Sequence, residues 1–257
     1  VIVTAPAADT TIGAVEITSD TGSTITADDA WSFIGAAEIA SVTPAVGQVG
    51  TVVEIEGTNM FGGADSLKEL TLGGTRADVQ SASDTYIKAV VQPGAAVGLV
   101  DVRIESDTGA FVEKADGWTY LRSGAIDAVS PAFGQEGTVV TITGVQLLGG
   151  GASIETLTFA GVAVTTITKQ TDTEIIAIAA ASAAQIGDVY IKTDTGAVTV
   201  RLDGFQYIAP TEVTTITPPS GQVGTLITIS GERLLAGGKK IVSVALDGTD
   251  VFTVVSS

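Results

Sequence analysis

The chain has no cysteine and no histidine, and each absence closes off chemistry. Without cysteine there are no disulfides and no thiolate nucleophile, although this alone does not settle the redox compartment. Without histidine the usual general base is missing, together with the commonest zinc and copper ligand and every Ser-His-Asp or Cys-His arrangement. Asn59 is the sole asparagine and is followed by Met60-Phe61, so no N-glycosylation sequon exists. Basic residues are scarce, 12 against 29 acidic ones, for a formal net charge of −17. Phosphate binding needs clustered Lys and Arg, and here only Lys239-Lys240 stand together, so nucleic acid is excluded as a partner. Long hydrophobic runs are also lacking. The longest, Ile175 to Ala184, is about half of the ~20 residues that cross a bilayer, and membrane insertion of this segment is not expected. The chain opens Val1-Ile2-Val3-Thr4 with no basic stretch of the signal-peptide kind.

What the chain does have is repetition. Pro44-Ala-Val-Gly47-Gln48-Val-Gly50-Thr51 returns as Pro131-Ala-Phe-Gly134-Gln135-Glu-Gly137-Thr138 and as Pro218-Pro-Ser-Gly221-Gln222-Val-Gly224-Thr225, with a step of 87 residues each time. Asp20-Thr21-Gly22, Asp107-Thr108-Gly109 and Asp194-Thr195-Gly196 keep the same beat, and so do Trp31-Ser-Phe33, Trp118-Thr-Tyr120 and Phe205-Gln-Tyr207. A fixed period of this kind means an array of small structural units. The repeat divides the chain into four parts. Residues 1–35 are the C-terminal half of a unit, 36–122 and 123–209 are complete units, and 210–257 is the N-terminal half of another. The connectors Ile34–Glu38, Leu121–Ala125 and Ile208–Glu212 are short and contain little glycine, which predicts a stiff array.

Within a unit the pattern is all-β. Val140 and Ile142 alternate with threonines in Thr138–Gly144, as Val53 and Ile55 alternate with Glu54 and Glu56, and as Ile227 and Ile229 do with Thr228 and Ser230. Apolar residues at period two make a half-buried strand. Further strands are expected at Thr156–Phe159, Val162–Thr168, Glu174–Ala179, Asp188–Lys192 and Ala197–Leu202, with Ala179–Ala184 as a loop or single helical turn. About seven short strands in 87 residues fit a two-sheet sandwich.

Ile126 to Pro131, the Gly134 to Thr138 turn, the Val140 to Gly144 strand, Phe159-Ala160-Gly161-Val162 and the closing Phe205-Gln206-Tyr207 together resemble IPT/TIG domains. The resemblance implies tandem immunoglobulin-like β-sandwich domains over nearly the whole chain. That family spans plexin-type and growth-factor receptor ectodomains, DNA-binding transcription factors, accessory domains of starch-active enzymes, and large surface proteins of bacteria and protists. A fold shared so widely leaves function to the sites it carries. The basic loops of the transcription-factor branch are absent here, and so are the disulfide-bonded neighbours usual in receptors. An accessory domain normally occurs singly, so tandem copies favour a surface or filament array.

No residue is assigned a catalytic, cofactor or metal role, and the chain is not expected to be an enzyme. Asp-Thr-Gly resembles the aspartic-protease loop, where two such aspartates share a proton. Here three copies stand one unit apart between strands, preceded by polar Ser19, Ser106 and Thr193, so they read as hairpin turns. Asp29, Asp116 and Asp203 raise Ca²⁺ at domain junctions as a weak alternative to turns. Ca²⁺ needs ~6–8 oxygens, and no Asp-rich loop supplies them in sequence. The glycine runs Gly62-Gly63, Gly149–Gly151 and Gly237-Gly238 lack the Lys-Ser/Thr of a phosphate loop. Gln48, Gln135 and Gln222 are expected to bond backbone in their own turns, with a junction role as the alternative. Trp31, Trp118, Tyr120 and Tyr207 read as core rather than as a sugar platform. Repeated Thr-x-Thr reads as solvent-facing strand rather than an ice-binding surface.

These features lead to a structural or adhesive segment of an extracellular surface protein or filament. The alternative is an array of carbohydrate- or protein-binding modules recognising a partner through loop tips. Expected partners are neighbouring repeats or copies of the same protein, then a surface glycan or protein ligand. Half-units at both ends point to a window on a longer array, or else to strand exchange between copies.

Overall fold

The expected alternation places one apolar face of each strand inward, and two sheets close over it in each complete repeat. A computed structural model describes residues 1–6, 8–94 and 96–251, and the chain divides into two units, Val1–Leu121 and Arg122–Ser257. All of the regular structure among the described residues is β, and none of it is a helix that could cross a membrane.

The first unit opens with a hairpin of β1 (Thr11–Thr18) and β2 (Thr24–Phe33). A sandwich follows, built from β3 (Glu38–Thr43), β4 (Val46–Gly47), β5 (Val52–Thr58), β6 (Leu67–Leu72), β7 (Thr75–Arg76), β8 (Asp78–Ala82), β9 (Tyr86–Val90), β10 (Gly98–Ser106) and β11 (Phe111–Tyr120). One sheet has the order β3-β5-β9-β8 and the other β4-β11-β10-β6-β7. Val53, Ile55, Ile87 and Ala89 on the first sheet face Leu70, Leu72, Val102, Ile104 and Trp118 on the second, all fully buried in one core.

The second unit repeats this with β12 (Ala125–Ser130), β13 (Phe133–Gly134), β14 (Val139–Val145), β15 (Ile154–Phe159), β16 (Val162–Ala163), β17 (Thr166–Gln170), β18 (Glu174–Ile178), β19 (Gln185–Thr193) and β20 (Val198–Tyr207). Its sheets are β12-β14-β18-β17 and β13-β20-β19-β15-β16. Val140, Ile142, Ile175 and Ala177 face Phe159, Val189, Ile191 and Phe205, all at 0% exposure. After this sandwich come β21 (Glu212–Thr217), β22 (Thr228–Glu232), β23 (Ala245–Leu246) and β24 (Thr249–Asp250). The last part of the 210–257 half-repeat, residues 252–257, lies outside the described residues.

One expected strand needs correction. Val162–Thr168 is not one strand. Val164 N–H donates to Leu157 O in one sheet and Thr165 N–H to Ile178 O in the other, at 3.1 and 2.9 Å, so the chain changes sheets between neighbouring residues. Side-chain alternation carries no record of which sheet the backbone bonds, and the break was invisible to it. Of the two readings of Ala179–Ala184, the loop is the one found.

Trp31 also departs from the core reading. It is 46% exposed, whereas Trp118 and Phe205 at the matching positions are at 0%. Trp31 stands on a two-stranded sheet, β1-β2, with no second sheet over its apolar face among the described residues. Its edge-on contact with Phe33 nonetheless repeats that of Trp118 with Tyr120 and of Phe205 with Tyr207.

Candidate functional site at the strand entry and exit of each sandwich

The residues that tie the beginning of each repeat to its end form a connected polar structure that recurs in both sandwiches. In each sandwich the first strand carries a bulge, at Ile39/Ser41 and at Ile126/Ala128. A bulge leaves backbone groups without ladder partners, and buried carbonyls need donors. The last strand of the opposite sheet supplies them. Lys114 Nζ on β11 donates to Ile39 O and Ala40 O at 3.0 and 3.2 Å. Arg201 on β20 donates through one guanidinium nitrogen to Ile126 O, at 3.1 Å, and to Asp127 O. A long cation on the last strand thus latches the first strand across the sandwich.

The same first segment then crosses over and pairs with the last strand directly. Val46-Gly47 runs parallel to Thr119-Tyr120, and Phe133-Gly134 runs parallel to Gln206-Tyr207. Thr119 N–H donates to Ala45 O at 2.9 Å and Leu121 N–H to Gly47 O at 2.7 Å. Their counterparts are Gln206 N–H to Ala132 O at 2.9 Å and Ile208 N–H to Gly134 O at 2.8 Å. The crossovers pass through cis peptides at Thr43-Pro44 and Ser130-Pro131. The glycine phrase that marks the repeat therefore builds a parallel clamp between chain entry and chain exit.

The glutamines of that phrase each contribute their backbone to the turn. The backbone N–H groups of Gln48, Gln135 and Gln222 close the turn, donating to Thr51, Thr138 and Thr225 Oγ1 at 3.1, 3.0 and 2.9 Å. The Gln135 side chain reaches past the end of its own sandwich. Its Nε2 donates to Thr211 Oγ1 at 3.2 Å, and its Oε1 accepts from Thr211 N–H at 2.9 Å. The junction alternative describes Gln135. In the first unit Asn59 plays a comparable part, donating from Nδ2 to Gly35 O in the connector.

The Asp-Thr-Gly segments are hairpin turns. Gly109 and Gly196 have φ of 87° and 86°, and their N–H groups donate to Ser106 O and Thr193 O. That left-handed position is open to glycine at no steric cost. Their carboxylates do more than turn the chain. Asp107 Oδ2 accepts from Ser66 Oγ at 2.6 Å, and Asp194 accepts from Ala152 N–H and Ser153 Oγ, so each hairpin is stitched to the loop before β6 or β15. The sequence could not show this, because the partners lie 41 and 42 residues away.

Asp29, Asp116 and Asp203 sit in left-handed backbone with φ of 52°, 52° and 48°. Asp116 N–H donates to Asp101 Oδ1 and Asp203 N–H to Asp188 Oδ1, each at 2.9 Å. In each pair the carboxylate of Asp101 or Asp188 thus holds the backbone of the partner aspartate at a bulge in the hairpin of β10-β11 or β19-β20. Among the described residues no three acidic side chains converge as a cation site.

The two sandwiches differ on their outer faces. In the first, Lys68 Nζ lies 2.6 Å from Glu105 Oε1, Arg103 3.2 Å from Glu105 Oε2, and Lys88 3.1 Å from Glu54 Oε1. Lys68, then Arg103, holds the Glu105 carboxyl below the usual range, and Lys88 does the same for Glu54. Lys68 and Lys192 are raised by Glu105 and Glu155. Carboxylates that stay charged to lower pH when folded contribute stability present above their unfolded pKa and lost as pH falls through the folded one. Raised lysines contribute stability present below their unfolded pKa and lost as pH rises through the folded one. Melting of the first sandwich is accordingly expected to weaken from pH 5 to pH 3, with Lys68→Met flattening that slope; calorimetry across the range checks both.

An open cleft of about 380 Å³ beside Leu67, Lys68, Arg76 and Ala82 also marks the first sandwich. At the place of Ala82 the second has Gln170, whose Oε1 accepts from Ile154 N–H at 3.0 Å and bridges the corresponding edge.

Comparison with known proteins follows this geometry. No curated protein matches the chain. Among solved structures, the full extracellular region of plexin A4 aligns at 19% identity and a TM-score of 0.47, covering 71% of this chain and 16% of that one. A surface glycan-binding protein from the Bacteroides ovatus mixed-linkage glucan utilization locus, in complex with a heptasaccharide, aligns at 14% identity and a TM-score of 0.29, covering 79% of this chain and 54% of that one. The chain therefore spans less than two thirds of either. The IPT/TIG domain pattern matches residues 37–120 and again 125–207, well over half of the chain and the same spans as the two sandwiches. With its two parallel-clamped sandwiches in tandem, the chain belongs to the IPT/TIG domain family.

Proposed function

We infer that this chain is a non-catalytic, load-bearing segment of an extracellular or cell-surface protein, with neighbouring repeats as its first partners and no cofactor. One observation carries the reading: chain entry and chain exit of each sandwich are joined by a parallel strand pair. Tension along the array pulls the two strands of such a pair in opposite directions along their length. Their hydrogen bonds are then loaded together in shear instead of opening one at a time. Lys114 and Arg201 add a second tie, from the same last strand to the strand that precedes the clamp, β3 or β12. The acidic surface keeps such a segment soluble.

Single-molecule stretching of the chain is expected to show two separate high-force unfolding events, one per sandwich. Lys114→Met and Arg201→Met are each expected to lower the force of one event and leave the other in place. Forced unfolding reports the unfolding barrier, so a merely thermodynamic loss without a change in rupture force contradicts the reading.

A second reading, a glycan- or protein-binding module, is favoured by the open cleft beside Leu67, Lys68 and Arg76 in the first sandwich. Micromolar binding of the intact chain on a glycan array marks that role.

A further inference from the structure

Neighbouring sandwiches with the same strand order, tethered by short connectors, are always within reach of one another, and trading of strands between neighbours is a characteristic failure of repeat proteins. We propose that three exchanged side-chain pairs keep the two sandwiches of this chain from trading strands while they fold.

Each pair joins the earlier part of a sandwich, around β6 or β15, to its last two strands. The first pair is ionic. Lys68 Nζ on β6 meets Glu105 Oε1 on β10 at 2.6 Å, and at the same two positions Glu155 Oε2 meets Lys192 Nζ at 2.7 Å with the signs reversed. The second pair is steric. Gly73 lies under Val100, and a Cβ on Gly73 would stand 2.9 Å from Val100 Cβ. In the second sandwich the large and small partners change places: Ala160 lies over Gly187, where a Cβ would stand 2.9 Å from Ala160 Cα. The third pair fills the core. Leu72 and Trp118 occupy the positions that Phe159 and Phe205 occupy in the second sandwich, all at 0% exposure, and those two phenyl rings stack at 4.8 Å.

A trade made in the loop between β9 and β10 sets β6 against β19 and β15 against β10. The first hybrid places Lys68 by Lys192, Gly73 by Gly187 and Leu72 by Phe205: like charges and two unfilled spaces. Glu69 would offer Lys192 a partner, but Arg76 already holds it at 2.9 Å. The second hybrid places Glu155 by Glu105, Ala160 against Val100 and Phe159 against Trp118: like charges and two overlaps. Arg103 on the same strand stays 3.2 Å from Glu105 and offsets part of this repulsion, so the two overlaps carry most of the penalty in the second hybrid. Close-packed interiors tolerate neither the gaps nor the overlaps. Each native sandwich satisfies all three pairs, and each hybrid fails all three.

The test gives the second sandwich the first's choice at every pair, with Glu155→Lys, Lys192→Glu, Phe159→Leu, Phe205→Trp, Ala160→Gly and Gly187→Val in the full chain. Because the chain has no cysteine, Ser66→Cys and Thr108→Cys can carry a donor and an acceptor dye. The two sites are close only when β6 stays with its own hairpin, where Ser66 bonds Asp107. After rapid dilution from denaturant at single-molecule concentration, the six-fold variant is expected to show several-fold more long-lived, low-transfer monomers than the parent, with the same native unfolding midpoint. A low-transfer share equal to the parent's overturns the proposal. Should the aromatic exchange prevent folding, the variant that keeps Phe159 and Phe205 decides the matter by the same comparison.

Discussion

Trp118→Ala is expected to unfold the first sandwich under conditions where the second remains folded. Trp118 is fully buried in a core that contains no residue of the second sandwich. Truncating a buried aromatic costs about 3–5 kcal/mol through lost transfer energy and the space left behind. A domain of this size holds about 5–15 kcal/mol in all, so the loss removes a large share of its stability. Calorimetry should show the transition of the first sandwich moved to lower temperature with that of the second in place, and a joint shift of both would contradict separate cores. Trp118→Phe is a gentler change with an opposing term. The Trp118 Nε1–H is buried without an acceptor, and phenylalanine removes that donor. The second sandwich shows how the lost volume is refilled, since Phe205 there is stacked on Phe159 where the first has Leu72. Trp118→Phe with Leu72→Phe is therefore expected to cost less than the sum of the two single changes, the mark of residues in contact.

Gly57→Ala and Gly144→Ala are expected to be nearly as damaging, each by about 1–3 kcal/mol or more. Neither glycine is chosen for a left-handed backbone. A Cβ on Gly57 would overlap the Glu38 carbonyl oxygen, and one on Gly144 the Ala125 carbonyl oxygen, which are backbone atoms with nowhere to move. The overlap pushes the first strand off its neighbour, beside the bulge that Lys114 or Arg201 latches. Both thermal stability and unfolding force of the affected sandwich are expected to fall together. Gly13→Ala is the control, because a Cβ there meets nothing within 4 Å; an equal loss at Gly13 would show that strand glycine, and not the close approach, is at work.

The reading of Val53, Ile55, Val140 and Ile142 as an inward face came from alternation alone, and these side chains are fully buried. Alternation succeeds because side chains in a strand point to opposite faces whatever their partner strand. The hairpin at Asp-Thr-Gly was legible for a similar reason, since its geometry is set by a few consecutive residues. Gln135 was harder. Its backbone belongs to a local turn, but its side chain meets Thr211 across 76 residues of chain, and nothing in either sequence neighbourhood points to the other. Lys114 and Arg201 stand one 87-residue step apart, but a recurring cation on a strand looks like any solvated residue until the bulge opposite is known.

Period-two alternation determined the all-β class, the 87-residue step the array, and composition the lack of histidine and cysteine; the family entered through the resemblance of its motifs. Those properties follow from local rules and from counting, and both are complete in the linear chain. Tertiary structure alone decided where the chain changes sheets at Val164-Thr165, which strands run parallel, and which cation latches which carbonyl. Each of these joins groups tens of residues apart, and a hydrogen bond depends on distance in space, which separation along the chain does not encode.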